Sequence, residues 1–554
     1  MKHFYFLFIM LLQVVAVSGN PAIPGQWKML TLADGSQVNA ELKGDKFCHY
    51  WQTSDGRCFS EKNTSGVYEL VSLQELQKSA LEKRAPHKVM NRYSTRSIIG
   101  GEHEPYTGKK KGLILLVDFT NKKFEDDHTP ELYNDIANKV GFQSDLGFIG
   151  SVKDYFLAQS GGLFELDFDV VGPLSMPKTY GYYGANTKGD DTNPGLMIAT
   201  ACEMADEYVD FKDYDWDGDG EVDQVFVIFA GLGEAAGGDA NTIWPHEWHL
   251  QYNDYGKTLK LDDVIIDTYA CGPELTVVKK QTVIEGIGTI CHEFTHCLGI
   301  PDVYDTSYGG GYGMGAWDLM SSGSYNGNSY IPAGFTSYEK MYCGWSQPIE
   351  LKNDTTITDM KPLSEGGESY IIYNDANRNE YYLLENRQKT GWDAAIPGNG
   401  LLVIHVDYDP ICWQYNFVNN YTSHPEYNDH ERLTVIAADN NRNTSDAATD
   451  AYPYKEKDSL TNKSLPRAEL YNLNPDGIHY TSKPITNIKQ ENGLVSFVFK
   501  NQVKNKPQDT GIKNVFTIQE NRKHIYDLQG RPHGTDPSAL PKGIYIINGK
   551  KVVK

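Results

Sequence analysis

The segment TVIEGIGTICHEFTHCLGIPDVYD, beginning at Thr282, contains His292-Glu293-x-x-His296-x-x-Gly299-x-x-Asp302. On a helix, imidazoles at i and i+4 project from one side, a turn apart, and can grip one tetrahedral ion. Gly299 is a natural C-cap, where a left-handed residue ends the helix and reverses the chain. The short return then lets Asp302 offer a third ligand, an oxygen donor of a kind zinc accepts beside nitrogen. Three protein ligands leave the fourth position to water, whose pKa zinc lowers toward neutrality. Glu293, beside the first histidine, can accept that proton and pass it to a leaving amine. The chemistry expected is hydrolysis of an amide bond by a metal-bound water. A plain amphipathic helix with two surface histidines is the competing reading, and the added Gly299 and Asp302 tell against it.

Elements must hold these residues in place. Val283, Ile287, Ile290, Phe294 and Leu298 recur at helical spacing, which predicts a helix over Thr282 to Leu298 with the histidines on the other side. Upstream, GLILLVDF from Gly112 and QVFVIFA from Gln224 read as buried strands, with helical patterns near Val152 to Ser160 and Leu196 to Val209. These make a mixed α/β unit over 106–345. From 346 to 500 the runs SYIIYN, YYLLENR, GLLVIHVDY and LVSFVFK, separated by Gly and Asn turns, read as an antiparallel β unit.

A second constellation lies at Asp215, Asp217, Asp219 and Asp223, spaced DxDxDGxxD with Gly220 at the turn. Closely spaced carboxylates repel one another unless a hard cation joins them, and calcium takes several such oxygens. The backbone carbonyl of Glu221 completes the candidate set, in a structural role. An acidic solvated turn is the alternative.

With these motifs on the page, the sequence resembles the immune inhibitor A-like secreted metallopeptidases of the zincin class. YDWDGDGEVDQVFVIFAGLGE at Tyr214 to Glu234, IWPHEW at Ile243 to Trp248 and WDLMSSGSYNG at Trp317 to Gly327 carry the likeness. YYLLENRQKTGWD from Tyr381 and GLLVIHVDYD from Gly400 extend it, so that it covers roughly 110 to 440. The resemblance implies an α/β (α+β) zincin-like catalytic domain, with a mixed sheet and an active-site helix, followed by β-rich domains. It implies an endopeptidase with His292, His296 and Asp302 as zinc ligands and Glu293 as catalytic base. It also implies a Met-turn placing Met320 beneath the zinc; a lone Met is otherwise a core filler. Some zincins place a tyrosine shortly after that Met to steady the oxyanion. Here Ser321 and Ser322 follow, Tyr325 comes later, and the oxyanion donor stays unassigned.

The flanks suggest export. Lys2 and His3 precede an apolar run from Phe4 to Val17, then Ser18 and Gly19, which reads as a signal peptide over 1–19. The run is short for a membrane span, and no other stretch reaches about 18 apolar residues, so no transmembrane span is expected in the mature chain. Residues 20–105 read as a small β-patterned unit ending in basic clusters at Lys83-Arg84, Arg96 and Lys109 to Lys111. They are either a solvated linker region or a propeptide with a protease-sensitive junction, which the metal site favours. Among the eight cysteines, Cys48 and Cys58 are near enough in sequence for a local disulfide. Alternatively, the thiolate of one could fill the open zinc position and keep the enzyme latent. Cys291 and Cys297 lie about 9 Å apart along the predicted helix, beyond disulfide reach. His246 and His249 receive no role. Residues 501–554 are a linker and a β module; IYDLQG at Ile525 and GIYIINGKKVVK resemble the sorting domain of the type IX secretion system. That implies secretion machinery as a partner, and surface attachment or release.

The net charge of −22, with 73 acidic against 51 basic residues, argues against nucleic acid or an anionic membrane as partner. The expected partners are protein or peptide substrates. Two rivals stand beside the endopeptidase: a surface adhesin with structural zinc, which has no need of Glu293, and a peptidase restricted to glycoproteins.

Overall fold

A computed structural model of the chain describes residues 18–19, 21–61, 65–84, 105–187, 190–307, 310–421 and 428–505. Beyond these it describes three short strands, at 525–527, 544–547 and 550–553. Most of the expected signal peptide and the junction at Arg96 lie outside the described residues.

The strands Gly108–Asp118, Phe164–Ser175, Val225–Leu232 and Thr268–Val278 run parallel to one another in one sheet. Val225–Leu232 has the near-continuous apolar sequence of a strand covered on both faces. His246–His249 adds antiparallel at the other edge of Thr268–Val278, and Ser18–Gly19 pairs outside it, in a seven-stranded mixed sheet. Helix Val152–Gln159 opens on a capping box between Ser151 and Asp154 and lies against one face of the sheet. Helix Pro194–Ala205 lies against the other.

The sequence pattern overran one boundary. The motif helix spans Gly288–Cys297, whereas Gln281–Ile284 is a strand paired antiparallel with Leu275–Val278. Lys279 and Lys280, at φ 49° and 68°, close the two-residue hairpin. The β-branched run Thr282, Val283, Ile284 favours the extended state. The helix starts late because two glycines let it sit down on a neighbouring loop. A Cβ at Gly286 would stand 2.3 Å from Ser329 backbone atoms, and one at Gly288 would stand 1.9 Å from the Ser324 carbonyl oxygen.

Downstream, Tyr370–Asn374, Asn377–Arg387, Gly400–Asp407 and Leu433–Val435 form successive antiparallel pairs. Short Ile349–Glu350 runs parallel at the edge of this five-stranded sheet. Its side chains alternate between two cores. Ile371, Tyr373, Tyr381, Leu383, Leu402 and Ile404 join the core that holds Ile290 and Phe294 of the motif helix. Tyr370, Ile372, Tyr382, Leu384, Leu401 and Val403 face a second core, with Phe497 and Phe499. The period of two in strand direction therefore makes this sheet a wall shared with the helix.

Residues Trp27–Val71 close a five-stranded barrel. Its core runs on to Trp244 and Ala235 of the larger unit. The expected Cys48–Cys58 disulfide is absent: Cys58 lies opposite Gln52 in the strand register, and no disulfide joins the two cysteines. The two cysteines flank Tyr50 in a small cluster of their own. The described residues up to Asn505 belong to one unit, and residues from Lys506 to another. Within the latter, Ile525–Asp527, Ile544–Ile547 and Lys550–Val553 pair as an antiparallel sheet. Among the described residues, no helix is long and apolar enough to cross a membrane.

Candidate metal centre

His292 and His296 stand one turn apart on the motif helix, and Gly299, at φ +85°, reverses the chain behind them. Asp302 thereby returns to the histidines. Its Oδ1 lies 3.2 Å from His292 Nε2 and 3.5 Å from His296 Nε2, and the two Nε2 atoms are 3.3 Å apart. These separations have a simple meaning. A tetrahedron with metal–ligand distances of about 2.0–2.1 Å has edges of about 3.4 Å. Three donor atoms therefore occupy three corners of a zinc-sized tetrahedron.

The other polar atom of each ligand is engaged by the protein. His292 Nδ1 donates to the Leu319 carbonyl at 2.9 Å, and His296 Nδ1 donates to the Ile300 carbonyl at 2.8 Å. Each bond sets the tautomer that turns the Nε2 lone pair inward. Asp302 Oδ2 accepts from Asn416 Nδ2 at 2.7 Å, while Asp302 Oδ1 is buried with no hydrogen-bond partner. Burial alone would raise the Asp302 carboxyl, but His296 and His292 hold it well below the usual carboxylate range. The donor set, the tautomers and the orphaned oxygen fit a metal ion.

Glu293 lies beside them, fully buried, and neither carboxylate oxygen has a hydrogen-bond partner. Burial pushes its carboxyl up to about 8; His292 pulls it back, and Glu247 and Asp302 add to the rise. Its backbone carbonyl accepts from Gln224 Nε2 at 3.2 Å, which ties the helix to the strand Val225–Leu232.

Met320 is fully buried. Its carbonyl accepts from Val303 N at 2.9 Å and its N–H donates to Asp318 Oδ1 at 2.7 Å. The turn at Leu319 and Met320 thus braces both the carbonyl that orients His292 and the segment following Asp302. Tyr325 points elsewhere, donating from its hydroxyl to the Pro21 carbonyl at 2.6 Å. His246 bonds the Trp244 carbonyl and the Tyr269 hydroxyl, and His249 pairs with Asp267 at 3.1 Å. Neither cysteine of the barrel is among the donor atoms.

Asp215, Asp217 and Asp219 also bring carboxylate oxygens within 4.8 Å of one another. Asp215 accepts from Gly218, Asp219 and Gly220 N–H groups, and Asp223 accepts from Trp216 N. Glu221 N donates to Asp219 Oδ1. Sequence reasoning missed Asn416, which no motif marks, and the carbonyls of Leu319 and Ile300, which carry no side-chain signal.

This geometry is compatible with a metal centre, and the comparisons bear on its class. Residues 107–347 match the model of the immune inhibitor A peptidase M6 catalytic domain, so this part of the chain is similar to a metallopeptidase catalytic domain. The pre-pro-metalloprotease PrtV of Vibrio cholerae is 29% identical over 272 residues, covering 42% of this chain and 29% of that protein. Immune inhibitor A of Bacillus thuringiensis subsp. alesti is 27% identical over 289 residues, covering 44% and 42%. A putative secreted metallopeptidase of Arthroderma benhamiae is 25% identical over 231 residues, covering 36% and 32%. The chain thus spans less than half the length of each of these relatives.

Proposed function

We propose that the protein is an exported, zinc-dependent endopeptidase in which His292, His296 and Asp302 hold the ion and Glu293 is the general base. The observation that carries this reading is the convergence of three donor atoms at tetrahedral spacing beside a buried carboxylate with no partner. Zinc, when bound, lowers the pKa of water and polarises a carbonyl. Glu293 takes the proton of the attacking water and hands it to the leaving amine. Its low-dielectric surroundings raise its basicity.

Residues 20–105 act in this reading as a propeptide. The barrel's contacts support that role: His49 stacks on Trp244 with ring centroids 4.8 Å apart, and Pro21 accepts the Tyr325 hydroxyl. The loop Asp215, Asp217, Asp219, Glu221 and Asp223 takes a structural calcium, a reading supported by its three converging carboxylates. The tail from Ile525 is a sorting module for type IX secretion, supported by its antiparallel pairing. Surface attachment or release follows from it.

The test is casein hydrolysis by the full chain, before and after limited trypsin treatment of the basic stretch between Lys83 and Arg96, comparing wild type with Glu293→Ala. Wild type is expected to cleave after treatment, and Glu293→Ala to lose about 10²–10⁴-fold in rate while keeping one zinc per chain. Equal inactivity of two folded, zinc-loaded proteins would sink the general endopeptidase reading.

A further inference from the structure

Asp302 is the ligand that no helix holds. A carboxylate on a turn can rotate about its last torsion and exchange its oxygens, so something must decide which one faces the metal. Asn416 makes that decision with two bonds. Its Nδ2 donates to Asp302 Oδ2 at 2.7 Å, and its Oδ1 accepts the Asp302 backbone N–H at 2.8 Å. The pair fixes the side chain and the main chain of Asp302 together. Oδ1 alone is then left to face the two histidines.

Asn416 lies well beyond 347, where the catalytic-domain match ends. It follows the short helix Pro410–Gln414 at φ +55°, a left-handed conformation that Asn tolerates better than most residues. Its surroundings grip the same turn at several points. Asn419 Nδ2 donates to the Val303 carbonyl at 2.7 Å, Thr306 Oγ1 donates to the Asn416 carbonyl at 3.4 Å, and Gly313 N donates to Glu431 Oε1 at 2.8 Å.

We propose that Asn416 is a positioning residue for the third metal ligand, so that the metal centre is assembled from two distant parts of the chain. The region around 400–435 is then a component of the peptidase centre rather than an appendage. This inference rests on the zinc site proposed above.

The test uses full-length protein and reads metal binding, not turnover. Asn416→Gly keeps the left-handed backbone and removes both bonds. Competition with a chromophoric chelator is expected to show zinc held about 10–100-fold more weakly, the usual cost of losing such an outer partner. The visible spectrum of the cobalt-substituted protein should change as the carboxylate reorients. In an Asp302→Ala background the same substitution should alter zinc affinity less than about twofold, because a clamp acts only through the ligand it holds. Wild-type affinity with an unchanged cobalt spectrum would overturn the proposal. So would an equal loss in both backgrounds, which marks general support of the fold. If Asn416→Gly does not fold, Asn416→Asp takes its place; it keeps the bond from the Asp302 N–H and sets a carboxylate against Asp302 Oδ2. Its cobalt spectrum is expected to differ from wild type, and an identical one overturns the proposal. Wild-type zinc affinity in the His292→Ala variant would remove the zinc site itself, and the proposal with it.

Discussion

Two places in this molecule gather carboxylates around a potential cation, and they use their oxygens differently. At His292, His296 and Asp302 each side chain gives one polar atom to a protein partner and turns the other toward a common point. The acidic loop does the reverse. Asp215 receives three backbone N–H groups, and Asp217, Asp219 and Asp223 each receive at least one. Those bonds shape the turn. The histidine site, by contrast, is buried and leaves Asp302 Oδ1 with only the two histidine rings beside it, and buried charge is costly unless it is paired or coordinates a metal. A metal centre of the first kind depends on its ion far more than the second does.

The contrast breaks most readily at His292. His292→Ala removes one corner of the tetrahedron, and zinc content measured by atomic absorption is expected to fall below about a tenth of an equivalent. Casein cleavage should drop to the uncatalysed background. Full zinc retention in this variant would mean that the donor set has been misread.

A third carboxylate sharpens the comparison because no imidazole offsets its burial. Glu285, just ahead of the motif helix, is pushed up to about 7 by burial, against the pull of the Thr276 and Ser329 hydroxyls. Its folded pKa lies above its unfolded one, so the fold keeps a proton that the unfolded chain loses first. The stability it contributes is complete below about pH 4.5 and falls as pH rises toward 7. Glu285→Gln has no proton to lose. Denaturant titrations at several pH values should show the variant gaining on wild type between pH 5 and 8, by on the order of 2 kcal/mol. A stability difference independent of pH would refute this account.

The smallest effect is expected at the acidic loop. Asp217→Asn removes one exposed carboxylate from the cluster, and in the presence of millimolar calcium the melting temperature should fall by about 2–4 °C. Without calcium, wild type and variant should melt together. A calcium-independent difference would leave only an acidic turn.

These differences also explain what the sequence disclosed. The histidine pair was legible because a helix turns an i, i+4 spacing into geometry, and Gly299 announced the reversal that returns Asp302. The helix start was not, because Val283 fits an apolar helical stripe and a strand equally well, and the Lys279-Lys280 hairpin decides between them. The β-rich runs were legible as strands, but not as a wall with two buried faces, since alternation disappears when both sides are apolar. Asn416 gave no signal. It stands 114 residues from Asp302, and only the fold brings them together.

The cysteines carry a consequence of a different kind. None of the eight forms a disulfide, and seven of them are buried, so the described fold has no covalent cross-link. Burial holds the Cys291 and Cys297 thiols far above the usual range and the Cys412 thiol up to about 12. A thiol that stays protonated and covered reacts with an alkylating reagent only when its neighbourhood opens. The molecule therefore carries built-in clocks: Cys48 and Cys58 in the barrel, Cys291 in the motif helix, and Cys412 four residues before Asn416. Mass spectrometry of each labelled peptide over time would rank these neighbourhoods by how often they come apart. The order in which the barrel, the helix and the clamp open would then be read from the same sample.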